Sequence, residues 1–385
     1  MTPTNPTPTA AINVTTRHGP LSVLFSEAVT PESRLQCSKL SGTAFGKNLS
    51  KSEFLEREAL LAAHPLAAGT GWRFWNLTLA DDQEKEEEGE LKVVALCKTL
   101  HRDLLIRDRE GTRREQGYCV CSVVTNDEYR GCGLASILLK KVAEWMDGEG
   151  GAAASILYSD IGDFYVSKGW DIQDAFQATL TVPSSLPSGE KKDTLPTTRL
   201  LTADKIPALA ERDIQDLENE FRKYDLAPDA TRLTVLPTPN IISWLQTRAN
   251  FMNNKLVGKT PEAKGSICEG ADSWVYWFHD LHAHKMTIQR VKLPQDADSQ
   301  DQETIKTLAA LLFSSIEEAA RWNTTEVVIW NPGPEVRSAT KYLAEELGIE
   351  VEQEKRETSK IPCLRWRGGE KRKTSFDPNE YYAWS

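Results

Sequence analysis

"NDEYRGCGLASILLKKVAEWM", residues 126–146, sets two glycines and an alanine between an acidic turn and an apolar run. Within it Leu134, Ile137, Leu138, Val142 and Trp145 recur at helical spacing, which predicts a helix over residues 133–146 with one buried face. The preceding "GYCVCSVVT", residues 117–125, alternates and is rich in β-branched residues, so it reads as a strand. The glycine turn thus joins a strand to a helix N-terminus, where the first amides lack intrahelical acceptors and the helix dipole is positive. Side chains bulkier than glycine would hold a phosphate off those amides. Gly131, Gly133 and Ala135 clear the approach, so the backbone of Gly131, Cys132, Gly133, Leu134, Ala135 and Ser136 can grip a pyrophosphate, with Arg130 adding charge at the rim.

The flanking pattern is that of two mixed sheets. Before the turn come a helix over residues 51–63 and strands over 72–79 and 91–100; after it come a strand over 154–159, a helix over 163–168 and a strand over 175–182. Between the first two strands the run "DDQEKEEEGE", residues 81–90, reads as a solvated loop. The stretch "TVPSSLPSGEKKDTLPTTRL", residues 181–200, has no apolar periodicity and serves as a linker, set at 183–200, between domains at 21–182 and 201–385. The second half repeats the order of elements: a helix over 203–224, strands "SWVYWFHD" and "HKMTIQRVKL", a helix over 302–322, the strand "TEVVIWN", a helix over 336–347 and strands near 349–354 and 362–367. Two copies of one α/β architecture are expected, the second degenerate.

Composition limits what such a chain can be. At 385 residues two cores are expected. The balance of 46 Lys+Arg against 56 Asp+Glu, a net charge of −10, argues against non-specific binding to nucleic acid or an anionic membrane. Seven cysteines, an odd number, do not make a disulfide framework and point to a reducing compartment. The opening "MTPTNPTPTA" has no basic segment followed by an apolar one, so residues 1–20 read as a disordered tail rather than a secretory leader. No apolar run approaches the roughly 18 residues a bilayer needs. A soluble, cytoplasmic protein is expected.

Arg130-x-x-Gly133-x-Ala135 fits the R/Q-x-x-G-x-G/A signature of the GCN5-related N-acetyltransferase superfamily. Around it stand a strand, a helix, the strand "ASILYSD" and then "FYVSKGW", in the place where that superfamily carries a Phe-Tyr pair and a later Gly-aromatic. A Rossmann loop would need G-x-G-x-x-G and an acidic residue about 20 positions on, and the spacing here differs. "SVVTNDEYRGCGLAS", "LYSDIGDFYVSKGW" and "ALCKTLHRDLLIRD" together resemble the fungal lysine N6-acetyltransferase family of lysine catabolism, most densely over residues 91–170. Two positions depart from the pattern: Cys132 stands where a basic residue is common, and Asp163 where a lysine is more usual.

That resemblance implies a mixed sheet flanked by helices that binds acetyl-CoA as cosubstrate, followed by a degenerate second domain of the same type that walls off the amine site. It implies a small-molecule amine acceptor, L-lysine, and no metal. Moving an acetyl group from a thioester to an amine requires a neutral nucleophile, and a lysine side chain with a pKa near about 10.4 must first lose its proton. The superfamily's oxyanion donors map onto the amides of Val123 and Val124, and its acid onto Tyr165, which protonates the leaving thiolate. No base is assigned; Asp127 and Glu128 are near in sequence, with capping of the turn as their alternative role. His279 and Asp280 end an aromatic strand and are substrate-contact candidates, Asp280 having the alternative of a loop carboxylate satisfied by nearby amides. "HDLHAH" adds His282 and His284, but no cysteine or carboxylate pattern completes a zinc set. In the second half the acidic "PQDADSQDQ" replaces a glycine loop and would repel a pyrophosphate. The aromatic tail "NEYYAWS" is expected to dock on the protein. The non-enzymatic alternative is a CoA-binding regulatory protein, and the alternative acceptors are polyamines, other amino acids and protein lysines or N-termini.

Overall fold

The computed structural model describes residues 10–16, 19–80, 92–294 and 296–384. The run at 81–90 and most of the N-terminal stretch lie outside these. Contacts divide the chain into two units, and the division is not linear. The first takes the chain up to Asp103, Glu115–Ile172 and Pro362–Lys371; the second takes Leu104–Arg114, Gln173–Ile361 and the residues from Arg372 onward.

In the first unit the strands Ile12–Thr16, Gly19–Glu27 and Trp72–Leu79 pair antiparallel in succession, and Trp72–Leu79 pairs antiparallel with the start of the long strand Val93–Asp108. Next lie Gly111–Thr125, then Ala154–Ser159, then Ile361–Trp366 and the short Asp171–Ile172. The residues at 12–16, expected in a disordered tail, are therefore a strand; their alternate Thr and Asn fill the outward positions of an edge. Two helices between the Gly19–Glu27 and Trp72–Leu79 strands, Pro31–Phe45 and Lys51–Ala62, start at Thr30 and Ser50 caps, the second a full capping box with Glu53. Helix Leu134–Asp147 buries Leu134, Leu138, Leu139, Val142, Ala143 and Met146 against the sheet. The helix expected at 163–168 is only a single 3-10 turn, Val166–Lys168.

The strand Ile361–Trp366 is integral to this core. Cys363 is fully buried in the same apolar cluster as Leu138 and Trp170, and the Arg365 guanidinium binds both carboxylate oxygens of Asp147 at 2.7 and 2.6 Å. The strand expected to complete the first domain, near 175–182, is instead Phe176–Thr181 of the second unit, where it pairs antiparallel with both Glu326–Trp330 and Val351–Lys355. Each unit thus borrows the strand that sequence order would have given to the other.

The second unit's sheet runs Val351–Lys355, Phe176–Thr181, Glu326–Trp330, Lys285–Lys292, Ser273–Asp280, Gly265–Cys268 and Arg199–Leu201. Helix Gln302–Arg321 packs its apolar face on it through Leu308, Leu312 and Ile316. Helix Pro239–Val257 and strands Ala230–Val235 and Lys373–Phe376 were not expected from the sequence. The linker region contains a helical turn, Glu190–Asp193, as well as the Arg199–Leu201 strand. As expected, the aromatic tail docks: Tyr381 packs on Trp330 and Phe278, and the Tyr382 hydroxyl donates to the Val235 carbonyl at 2.6 Å. Glu380 beside it enters a buried ion triad. Arg290 donates through Nε and Nη2 to the two oxygens of Asp213, both at 2.8 Å, and through Nη1 to Glu380 at 2.6 Å. Removing one member of a buried ionic group strands the others, so Glu380→Ala should cost about 3–5 kcal/mol. A shift in the urea midpoint reads this directly, and an unchanged midpoint would show that the triad holds nothing.

No helix among the described residues is long and apolar enough to cross a membrane.

Candidate active site

The turn ahead of helix Leu134–Asp147 is built by conformation rather than by side chains. Asn126 opens it, its side-chain oxygen accepting from the Glu128 amide at 3.1 Å, and Asp127–Tyr129 forms one 3-10 turn. Gly131 and Gly133 then take φ of +78° and +76°, a region costly for residues with a Cβ. Gly133 is the helix N-cap and offers no side chain to the first turn. Its carbonyl accepts from Ser136 and Ile137 at 3.1 and 3.2 Å, while the Leu134 and Ala135 amides precede the first intrahelical bond. A Cβ built on Gly133 meets nothing within 4 Å, so the space beside this glycine is open.

The expected residues distribute as follows. Gly131 and Gly133 are exposed, Ala135 and Ser136 half-buried and Leu134 buried. Cys132 turns inward into the apolar cluster, leaving only its backbone at the surface. Arg130 is exposed and pairs with Asp127 at 2.8 Å; Glu128 pairs with Lys92 at 2.6 Å. The cap of the turn is Asn126 rather than either acid. A pyrophosphate fits this site on the chemistry of its donors: helix-start amides, two left-handed glycines and one rim guanidinium.

The strand that leads into the turn opens away from its neighbour. Gly111–Thr125 pairs in parallel with Ala154–Ser159 only from Gly117↔Ala154 to Cys119↔Ile156, although both strands run on. Ser122, three residues past the last pair, has a φ of +52°, a mid-strand irregularity that costs about 1–3 kcal/mol in a residue with a Cβ. The Asn126 amide donates to the Val94 carbonyl at 2.9 Å. Amide directions alternate along a strand, so Val124 turns its N–H toward the Val93–Asp108 strand and Val123 turns its N–H toward the opening. By this alternation, Val123 is the one of the two expected donors that faces away from the Val93–Asp108 strand.

Tyr165 follows the second of these strands, just before the Val166–Lys168 turn. Its ring lies in the core, edge-on to Phe164 at 5.1 Å. Burial pushes its phenol above the ordinary tyrosine range, and the thiols of Cys97, Cys363 and Cys121 with Asp160 act in the same direction. The phenol stays protonated throughout the neutral range.

In the second unit the expected contacts separate. His279 is 2% exposed, with its ring 3.5 Å from Glu318 and edge-on to Trp322, and burial lowers its pKa, keeping it neutral. It is an interior group facing a carboxylate. Asp280 accepts from the Ala283 amide at 3.2 Å, which is the local turn role. His282 and His284 are exposed. At the start of helix Gln302–Arg321 the cap is Asp301, whose carboxylate accepts from the Thr304 amide at 2.8 Å; that hydrogen bond holds its pKa below the usual carboxylate range. A fixed negative charge fills the position that two glycines leave open in the first unit.

Comparison with known proteins finds two family matches in this chain. Residues 74–163 match the model of the acetyltransferase (GNAT) family, and residues 183–385 match the LYC1 GNAT-like C-terminal domain. A protein of Yarrowia lipolytica described as a lysine acetyltransferase is 22% identical over 382 residues, covering 88% of this chain and 93% of the relative. Among solved structures, a GCN5-related N-acetyltransferase from Kribbella flavida is similar with a TM-score of 0.51 at 15% identity, over 89% of this chain and 71% of that one. Another from Anabaena variabilis gives 0.53 at 13%, over 89% and 73%. The two structures speak for the fold alone. The family matches go further: this chain belongs to the GNAT N-acetyltransferases, with a LYC1 GNAT-like domain as its C-terminal part.

Proposed function

We propose that the protein transfers the acetyl group of acetyl-CoA to the side-chain amine of free L-lysine. The observation that carries the cosubstrate is the pair of left-handed glycines at the helix start, beside a strand that parts from its neighbour. Support for the acceptor comes from the Yarrowia relative, described as a lysine acetyltransferase.

Each residue then has a task. The amides of the Gly131–Ser136 turn hold the pyrophosphate, and Arg130 adds charge at its rim. The neutral lysine nitrogen attacks the thioester carbonyl carbon. The developing oxyanion accepts a hydrogen bond from the Val123 amide. As the carbon–sulfur bond breaks, Tyr165 gives its proton to the leaving thiolate, for which its raised pKa keeps it loaded; the nitrogen, positively charged after attack, releases its extra proton to solvent, and a proton from solvent restores the phenol. Because the nucleophile must be neutral while Tyr165 must stay protonated, kcat/KM should rise with pH and show no descending limb below about pH 10, the ordinary tyrosine value. A descending limb near pH 8 would remove Tyr165 from the acid role.

The acceptor is tested by following free thiol with acetyl-CoA and a panel of amines. L-Lysine should be a good substrate, with cadaverine and histone-like peptides poor ones. A peptide or polyamine with a higher kcat/KM than lysine would overturn the acceptor and leave the N-acetyltransferase activity standing.

A further inference from the structure

The segment "ALCKTLHRDLLIRD" contains a charge that the reaction above does not use. Arg102, on the strand Val93–Asp108, is 1% exposed and among the largest fully buried side chains of the protein. Its Nη1 donates to the His101 carbonyl at 3.0 Å. Its Nε and Nη2 are buried and have no hydrogen-bond partner among the described residues. An enclosed guanidinium with two idle donors is expensive, since a buried charge costs several kcal/mol unless it is paired.

The two idle donors are a matched set. Nε–H and Nη2–H lie on one edge of the guanidinium and point the same way, spaced for the two oxygens of a carboxylate. The protein shows what fits that edge: Arg290 holds Asp213 through the same two atoms, both at 2.8 Å. The other fully buried charge on this strand is already matched. Lys98, also directed inward, binds Glu58 and lies over the rings of Trp72 and Phe74. Lys98 and Arg102 are four residues apart, so strand alternation puts both on one face of the sheet, with Leu100 between them.

We propose that the free edge of Arg102 binds the carboxylate of the acceptor, and so selects an amino acid over a simple amine. The proposal rests on the amino-acid acceptor reading. A bidentate pair of this kind, formed away from water, discriminates strongly against an analogue that lacks the carboxylate.

The test compares L-lysine with cadaverine, the same chain without its carboxylate, in wild type, Arg102→Met and Arg102→Lys. In wild type lysine should be preferred. In Arg102→Met the ratio of kcat/KM for lysine to that for cadaverine should fall by about 10²-fold or more, chiefly through KM for lysine. Arg102→Lys keeps the charge but not the two-pronged edge and should lie between. The Tm of the ligand-free Arg102→Met protein should equal or exceed that of wild type, because an unpaired buried charge has been replaced by an apolar chain of similar length. An unchanged ratio, or equal losses on both substrates with a lowered Tm, would make Arg102 a structural residue and overturn the proposal. If wild type does not acetylate lysine at all, the acceptor reading fails separately. The edge is then tested with acetate: sodium acetate should raise the Tm of wild type above that in equal sodium chloride, and should not do so in Arg102→Met. Absence of an Arg102-dependent shift overturns the proposal in that case too.

Discussion

Gly133→Asp should leave a folded protein that has lost its affinity for CoA. Aspartate is among the residues that tolerate left-handed backbone, and the missing space is not an obstacle, since nothing lies within 4 Å of the new Cβ. The fold should lose only about 1–2 kcal/mol. The new carboxylate would do in the first unit what Asp301 does in the second, accepting from first-turn amides and presenting a negative charge outward. Losing two hydrogen bonds to a charged phosphate, each worth about 1.5–3 kcal/mol, corresponds to a loss of about 10²- to 10⁴-fold in affinity. Titration calorimetry with CoA checks this on protein whose circular dichroism matches wild type. An affinity within threefold of wild type would remove the glycine turn from the pyrophosphate site.

Tyr165→Phe separates chemistry from binding. The phenol is embedded in the apolar cluster, and phenylalanine keeps the ring and its edge-on contact with Phe164. CoA affinity should stay within about twofold, because the site built from amides is untouched. Turnover should fall by about 10²- to 10⁴-fold, the usual contribution of a placed proton donor. The loss should appear in kcat rather than in the KM for either substrate, as expected of an interaction made only in the transition state. Were kcat to drop less than threefold, Tyr165 would be a packing residue and the thiolate would leave without its help.

Much of the candidate site was legible because it is local. The glycine turn announces itself by two residues with no Cβ at positions that require positive φ, between an alternating strand and a 3.6-period helix. The choice between Val123 and Val124 was not legible, since it depends on which neighbouring strand the Asn126 amide bonds to. His279 looked available because it ends a strand near a histidine-rich loop; its inward direction follows from the packing of helix Gln302–Arg321, which brings Glu318 to the ring. Helix Pro239–Val257 was missed because polar residues stand on its buried side. Gln246 and Asn253 point inward and hydrogen-bond the strand carbonyls of Trp277 and His279, which blurs the apolar stripe that periodicity relies on. Arg102 reads as one more charge in a charged strand, and only the count of its partners sets it apart.

The exchanged strands escaped for a different reason. Ile361–Trp366 is buried throughout and Phe176–Thr181 alternates, and nothing in either six-residue stretch states which sheet it joins. Sequence order favours the near partner, and the protein uses the far one.

That exchange governs when each unit can be completed as the chain leaves the ribosome. The first unit has most of its strands by Ile172, yet the one that sits beside Ala154–Ser159 and carries Cys363 into its core comes only after residue 361. At about 5–20 residues per second, the intervening segment takes roughly 10–40 s to synthesise. Throughout that interval the Ala154–Ser159 strand has an unfilled edge, a template for pairing with another nascent chain. The half of the protein that begins first must wait for a strand made near the end of synthesis, and its yield in a cell depends on how well that edge is shielded while translation proceeds.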